Sequence, residues 1–322
     1  MKQYKALVTS IGGDLGQAVC KALCRSNYNI KIFGTDCRNY EPHPLFCNLF
    51  QTIPKAKDST YPEFINRFIT ENSIDLVYVC SEQELLYISD HFLEIDEEIR
   101  PRIVMPSPGI INICRDKLKT VQFLKNNYFP YPHSILYNSS VSVDMLLKGF
   151  NYPFIVKKLS SSGSKDFYMV RDILDFKSIK DLDSSYMLQE YITGLEYTNG
   201  VYRDPFNNET YVITLERTLK DGVSSEVKVV FDKDIEELCK SVARILNLSG
   251  SINIQLRKQK DSAPVIFEIN PRYSSTAFIR SNFGFNDVIY AFENIILKKA
   301  IDKPNIKSGK AFRYLEEYYK FD

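Results

Sequence analysis

Two stretches close to residue 260 carry polar side chains at alternate positions of otherwise apolar runs. Asn253 and Gln255 alternate with apolar residues in INIQL, and Glu268 and Asn270 do so in FEIN. Because side chains alternate across a β-strand, each polar pair lies on one face. A turn centred on residues 261–262 would place Asn253 opposite Asn270. The same register would place Gln255 opposite Glu268, so the pattern predicts a hairpin with four oxygen-bearing side chains on one face.

Oxygen-bearing side chains of this kind are ligands for a hard cation such as Mg²⁺, which completes its shell with water and substrate phosphate. Arg272 follows Asn270 after a proline. A guanidinium beside a metal ion suits an anionic phosphoryl group. The hairpin therefore favours a site for a metal ion and a phosphorylated ligand. The competing interpretation is the solvent-facing side of an edge hairpin, where glutamate, asparagine and glutamine are ordinary.

Two further stretches could contribute to a nucleotide site. In PFIVKKLSSSGSKD, Lys157 closes an apolar run and a serine–glycine loop follows, which can surround phosphates with a charge and several amide donors. The spacing is not that of a Walker loop, and a hairpin turn with solvated lysines is the alternative. In LQEYITGLEY, Glu190 and Glu196 flank a glycine hinge. A carboxylate there can hold ribose hydroxyls, and a surface acid at a strand end is the alternative.

The N-terminal third alternates short apolar runs with helical patterns, which predicts a parallel, doubly wound sheet. Its LVTSIGGDLGQAV begins as a dinucleotide-binding unit does, and Asp36 ends the next apolar run. However, Ser10 replaces the first glycine of the dehydrogenase motif, and the chain has no Tyr-x-x-x-Lys pair. The sequence therefore argues against a nicotinamide-dependent oxidoreductase. The glycines are assigned to a tight turn and close helix packing.

Composition narrows the classes of protein further. Lys+Arg 41 against Asp+Glu 40 gives a net charge of +1, which does not favour a nucleic-acid or membrane partner. No apolar run approaches the roughly 20 residues of a spanning helix. Seven cysteines without a CxxC pair suit reduced thiols in a cytoplasmic protein, so we expect a cytoplasmic location.

Together, in this order, these stretches resemble the ATP-grasp superfamily. The resemblance is to the ATP-binding half of the carbamoyl-phosphate synthase large subunit and to stand-alone carboxylate–amine ligases, and it covers nearly the whole chain. It implies an α/β Rossmann-like pre-ATP-grasp domain over residues 1–112. An α+β, two-lobed ATP-grasp domain would follow over 113–302, with its lid lobe at about 151–190, and a C-terminal segment would occupy 303–322.

The resemblance also implies the roles of individual residues. Those that would contact ATP are Lys117, Lys157, Ser162, Gly163, Ser164, Glu190, Ile192 and Glu196. Those that would hold Mg²⁺ or Mn²⁺ are Gln255, Glu268 and Asn270, with Glu268 bridging two ions. Those that would steady the transferred phosphoryl group are Arg272, Arg217 and Arg280.

The activity that the resemblance implies is an ATP-dependent, ADP-producing ligase. It would join a small-molecule carboxylate to an amine through an acyl-phosphate, without a nucleic-acid or membrane partner, and a homodimer is compatible with it. An ATP-grasp kinase, which phosphorylates a hydroxyl, would share every nucleotide residue and remains open. A non-catalytic nucleotide-binding protein would be expected to lose the metal ligands. A NAD-dependent oxidoreductase is the less favoured alternative.

Overall fold

The computed structural model describes residues 2–160, 166–220 and 222–321. Its N-terminal part is a parallel sheet in the order β3-β2-β1-β4-β5. The strands are β1 (Tyr4–Val8), β2 (Ile30–Asp36), β3 (Leu49–Thr52), β4 (Leu76–Tyr78) and β5 (Ile103–Val104). The helices between them are α1 (Asp14–Cys24), α2 (Tyr61–Glu71) and α3 (Glu82–Asp90).

The two faces of this sheet are covered by different helices. Alternate residues of β1 point to opposite faces, so Ala6 and Val8 pack with α1, whereas Leu7 packs with α2 and α3. The predicted parallel, doubly wound sheet is confirmed. The turn into α1 requires glycine at residue 16, because a Cβ there would lie 2.4 Å from the carbonyl oxygen of Ser10.

Two short helices connect the parallel sheet to the rest of the chain: α4 (Pro108–Cys114) and α5 (Lys117–Asn126). The Asp116 side chain caps α5 by accepting hydrogen bonds from the backbone amides of Leu118 and Lys119. Directly after this cap, the Lys117 amide donates to the Leu159 carbonyl at 3.1 Å. The start of α5 is therefore attached to the next lobe of the protein.

That lobe is an antiparallel sheet in the order β6-β9-β7-β8. Its strands are β6 (Ser134–Leu136), β7 (Phe154–Lys158), β8 (Phe167–Val170) and β9 (Tyr186–Glu190), with the helices α6 (Val143–Leu146) and α7 (Ile173–Ser178). Phe154, Val156 and Leu188 form its core together with Phe176 of α7.

The larger antiparallel sheet has the order β14-β13-β10-β11-β12-β15. Its strands are β10 (Leu195–Arg203), β11 (Thr210–Lys220), β12 (Val223–Val230), β13 (Gly250–Lys258), β14 (Val265–Asn270) and β15 (Lys310–Phe312). The associated helices are α8 (Lys233–Ile245), α9 (Ala277–Asn282) and α10 (Asp287–Ile295). Ile235, Cys239 and Val242 of α8 share one apolar core with residues of β10, β11 and β13.

The parallel sheet and the larger antiparallel sheet share one apolar core, which contains residues of α1, α9 and α10. Two hydrogen bonds reinforce this contact. The Tyr78 hydroxyl donates to the Val288 carbonyl at 2.8 Å, and the Tyr28 hydroxyl donates to Glu293 at 2.6 Å. Among the described residues, no helix combines the length and the apolar character that crossing a membrane requires.

Candidate functional site

A cavity of about 600 Å³ lies where the two antiparallel sheets and the parallel-sheet domain meet. The apolar residues that line it come mainly from the smaller sheet and the hinge after β9, and include Ile155, Met169 and Ile192. At the opposite end, α1 and α3 contribute Asp14 and Glu82. The strands β13 and β14 run between these two ends.

The hairpin of β13 and β14 has the predicted register: Asn253 pairs with Asn270, and Gln255 pairs with Glu268. All four side chains line the cavity, so the predicted polar face is confirmed. The pairing becomes irregular only beyond Gln255. Asn253 is the most buried of the four, and its Oδ1 accepts a hydrogen bond from Thr198 at 3.0 Å.

Lys157, on β7, faces this hairpin across the cavity and is only 7% exposed. Burial lowers the pKa of Lys157 to about 8; the carboxylate of Glu268 opposes this effect and the charge of Lys117 adds to it. Lys117 itself lines the cavity from the start of α5. The two lysines therefore place positive charge opposite the oxygen-rich hairpin.

Glu196 lies at the centre of a charged network beside the hairpin. Its Oε1 accepts from Arg217 at 2.9 and 2.6 Å, and its Oε2 accepts from Arg257 at 2.7 and 3.1 Å. Arg217 also donates to Gln255 Oε1 at 3.0 Å. Arg257 stacks on the ring of Tyr191, with its guanidinium carbon 4.9 Å from the ring centroid. The network connects the hinge to the polar face of β13.

At the other end of the cavity, Arg272 pairs with Glu82 of α3 at 3.2 Å. Glu84, two residues further along α3, is 4% exposed and accepts hydrogen bonds from three hydroxyl groups, those of Thr9, Ser10 and Tyr61. Burial is the main cause that raises the pKa of Glu84. These bonds fix α3 against the glycine turn that precedes α1.

Asp36, the last residue of β2, also holds this turn in place. It is 4% exposed, and its Oδ2 accepts from the Gly12 amide at 3.0 Å. Its Oδ1 accepts from the Arg38 amide at 3.1 Å. Because both oxygens accept hydrogen bonds from backbone amides, Asp36 stabilises the turn. This agrees with the expectation that the glycines here form a tight turn.

Comparison with known proteins identifies the same family that the sequence resembles. A family model described as ATP-grasp in the biosynthetic pathway with Ter operon matches residues 183–318. Residues 183–318 therefore match an ATP-grasp domain, and this match covers less than half of the chain. The resemblance seen in the sequence is confirmed over this part.

Relatives and solved structures agree with this assignment. N5-carboxyaminoimidazole ribonucleotide synthase of Aquifex aeolicus (strain VF5) is 24% identical over 229 residues, which cover 66% of this chain and 58% of that protein. The chain therefore spans little more than half of that relative. A 5-formaminoimidazole-4-carboxamide-1-(beta)-D-ribofuranosyl 5'-monophosphate synthetase of Methanosarcina mazei is 30% identical over 133 residues, which cover 39% of this chain and 36% of that protein.

Two solved structures share the ATP-grasp fold over most of the chain. N5-carboxyaminoimidazole synthetase from Staphylococcus aureus, complexed with ADP, has a TM-score of 0.78 at 15% identity and covers 97% of this chain and 82% of its own. L-amino acid ligase from Bacillus licheniformis has a TM-score of 0.68 at 14% identity and covers 92% and 74%. The predicted fold, a Rossmann-like domain followed by a two-lobed ATP-grasp domain, is confirmed.

The structure brings most of the predicted ATP-grasp site residues to one cavity. Those that line it are Lys117, Lys157, Glu190, Ile192, Glu196, Arg217, Gln255, Glu268, Asn270 and Arg272. Glu190 also accepts from the His133 amide at 3.0 Å. The remaining predicted loop residues, Ser162, Gly163 and Ser164, lie outside the described residues.

Arg280 is the exception among the predicted catalytic arginines. Within the described chain it does not line the cavity, and its side chain is fully buried. It pairs with the equally buried Asp287 at 3.1 Å. A Cβ added to Gly200 would lie 2.2 Å from Arg280 Nη1, so the guanidinium packs directly on β10. The predicted contact of Arg280 with a phosphoryl group is therefore replaced by a buried ion pair.

Three charged cavity residues were not among the predicted site residues: Arg257, Glu82 and Asp14. A signal for Arg257 was present, because it continues the alternation of Asn253 and Gln255 by one more step. No local pattern marks Glu82 or Asp14, since both reach the cavity through the packing of α1 and α3 against distant parts of the chain.

Proposed function

We propose that this protein is an ATP-dependent ligase that joins a carboxylate to a nitrogen nucleophile, forms ADP and uses Mg²⁺. The observation that carries the proposal is the convergence of Lys157 and the Gln255–Glu268 pair on one cavity. A buried cation opposite an oxygen-rich strand pair suits a nucleotide phosphate with its metal ion.

Mg²⁺ fits the donor set of the hairpin. Gln255, Glu268 and Asn270 offer only oxygen ligands, which this ion prefers, and they share one face. These three residues would hold the metal, which when bound would neutralise charge on the transferred phosphoryl group. Mn²⁺ would suit the same ligands.

ATP would bind with its adenine at the apolar hinge end, beside Ile192 and the backbone that follows Glu190. Its phosphates would reach Lys157 and Lys117, with the loop of Ser162, Gly163 and Ser164 as a further donor of amides. Glu196, which two arginines already hold in place, would meet the ribose. This assignment keeps each predicted nucleotide residue in the role that the resemblance implies.

The chemistry would take place in two steps. A carboxylate oxygen of the substrate attacks the γ-phosphorus, the bond to the β-phosphate oxygen breaks, and ADP leaves. A nitrogen lone pair then attacks the acyl carbon of the acyl-phosphate, phosphate departs with the C–O bonding electrons, and the nitrogen loses a proton. Arg272 and Arg217 would neutralise the charge that develops, and the protein acts mainly by orientation and electrostatics.

The substrates would be small molecules. All seven cysteines lie within the described residues and are free, which fits a reducing cytoplasm. The location therefore forms part of the proposal.

The test combines product analysis with one substitution. With ATP, Mg²⁺ and a carboxylate substrate, we expect ADP and phosphate, and hydroxylamine should trap the activated acid as a hydroxamate. Glu268→Gln keeps the shape but removes the charge, so turnover should fall well over tenfold, and a tenfold fall alone corresponds to about 1.4 kcal/mol of barrier. Glu209→Gln, at an exposed position away from the cavity, is the matched control.

Three results would contradict the proposal. A phosphorylated alcohol without a hydroxamate would make the protein a kinase. AMP and pyrophosphate would exclude an acyl-phosphate. Unchanged turnover in Glu268→Gln would remove the metal role of the hairpin.

A further inference from the structure

The end of the cavity formed by the parallel-sheet domain has a distinctive set of charges. Glu82 pairs with Arg272 at 3.2 Å, and Asp14 pairs with Arg313 at 3.4 Å. Arg313 also donates to the carbonyl of Ser275, another residue of the cavity wall, at 2.6 Å. Two carboxylates and two guanidinium groups therefore balance at this end.

The backbone amides of the glycine turn at this end already have hydrogen-bond partners. The amide of Ile11 donates to Thr35 and that of Gly13 donates to Ser10, so the glycine turn uses these donors internally. The Gly12 amide is held by Asp36. Asp14 then occupies the first turn of α1, where its carboxylate would repel a phosphate that approached the helix N-terminus.

The positions of Glu82 and Asp14 are fixed relative to each other. Glu84 is buried, and its Oε2 accepts from both Thr9 and Ser10, which precede the glycine turn. The start of α3 and the start of α1 are thereby held together. A ligand at this end meets a preformed arrangement of charges, so little ordering is lost on binding.

We propose that the carboxylate substrate of this enzyme is an α-amino acid, with its carboxylate on Arg272 and its ammonium group on Glu82. The inference rests on the proposed ligase function and names the substrate class of that site. The Arg272–Glu82 contact is a single ion pair between side chains that are 21% and 30% exposed, so water partly screens it. A zwitterion replaces this one pair by two.

The separation of the two protein groups selects the class of zwitterion. Because Arg272 and Glu82 are in contact, the charges of a ligand that bridges them must also be close, as they are on one α-carbon. Arg272 lies beside Asn270 on the metal-binding face, so a carboxylate held there is placed for attack on the γ-phosphorus.

The experiment compares matched acids with hydroxylamine as the nucleophile. Glycine, the nineteen chiral L-α-amino acids and their D-enantiomers are screened for ADP and hydroxamate formation, and bicarbonate with a phosphorylated amine is screened for ADP formation. For each active amino acid, the N-acetyl derivative and the analogue without the amino group are then measured. We expect at least one active amino acid, and a loss of at least 100-fold in kcat/KM for both derivatives.

Glu82→Gln separates ammonium binding from a structural effect. For the active amino acid it should raise KM at least tenfold with little change in kcat. It should also reduce the difference in kcat/KM between that amino acid and its analogue without the amino group. Glu97→Gln, exposed on the same domain, is the matched control.

The outcomes distinguish this inference from the proposed function. If N-acetyl amino acids react as well as free ones, or if only bicarbonate with a phosphorylated amine supports ADP formation, the amino-acid inference is wrong and the ligase remains. If no acid in the screen, bicarbonate included, supports ADP formation, both are wrong. A Glu82→Gln variant with unchanged KM would also overturn the amino-acid assignment.

Discussion

The affinity for Mg·ATP should depend on pH through Lys157. Burial lowers the pKa of Lys157 to about 8, so its ammonium group is largely charged at pH 7 and largely neutral at pH 9. If the phosphates bind only when Lys157 is charged, the dissociation constant of Mg·ATP should increase as pH rises through 8. Between pH 7 and pH 9 the increase is about tenfold, or about 1.4 kcal/mol.

Calorimetric titration with a non-hydrolysable ATP analogue and Mg²⁺ measures this dependence. Lys157→Arg keeps the charge across the whole range, so its affinity should be flat with pH. Lys158→Arg, at the neighbouring half-exposed residue that pairs with Asp166, should keep the wild-type dependence. A flat wild-type profile, or a slope that persists in Lys157→Arg, would refute the role of Lys157.

Three further substitutions test the supporting structure. Asp36→Ala should change ATP affinity by no more than a factor of about two. It should lower the free energy of unfolding in urea by about 1–3 kcal/mol, because the Gly12 amide loses its partner. Tight NADH binding that needs Asp36 would contradict this. Gly200→Ala should cost about 1–3 kcal/mol in the same assay, since its Cβ would overlap Arg280, and unchanged stability would show that the buried pair adapts. Glu84 has a raised pKa, so the stability it contributes is present below its unfolded pKa and is lost as pH rises through its folded pKa. The free energy of unfolding of the wild type, minus that of Glu84→Gln, should decrease as pH rises from 4.5. A difference that stays constant with pH would exclude this.

The part of the site that could be predicted depends on local rules. Asn253, Gln255, Glu268 and Asn270 lie on two strands joined by a short loop, so alternation and antiparallel register determine which side chains share a face. The same alternation, continued by one step, would have found Arg257. The parallel sheet was predictable for a similar reason, because apolar runs alternate with amphipathic helices.

What could not be predicted depends on contacts between distant segments. The family resemblance gave Arg280 the same role as Arg272, but its side chain packs on β10 and pairs with the buried Asp287. Glu82 meets Arg272 across 190 positions of sequence. No local pattern reports a contact of that kind, so these roles required the structure.

The pairing of Asp14 with Arg313 joins residues that are 299 positions apart. A ribosome synthesises Asp14 early and Arg313 among the last residues of this sequence. The parallel sheet can form while translation continues, but the end of the cavity that includes Asp14 cannot be complete until β15 has been made and has joined β12. A nascent chain would therefore acquire β13 and β14, which line the cavity, before it could form the contact between Asp14 and Arg313.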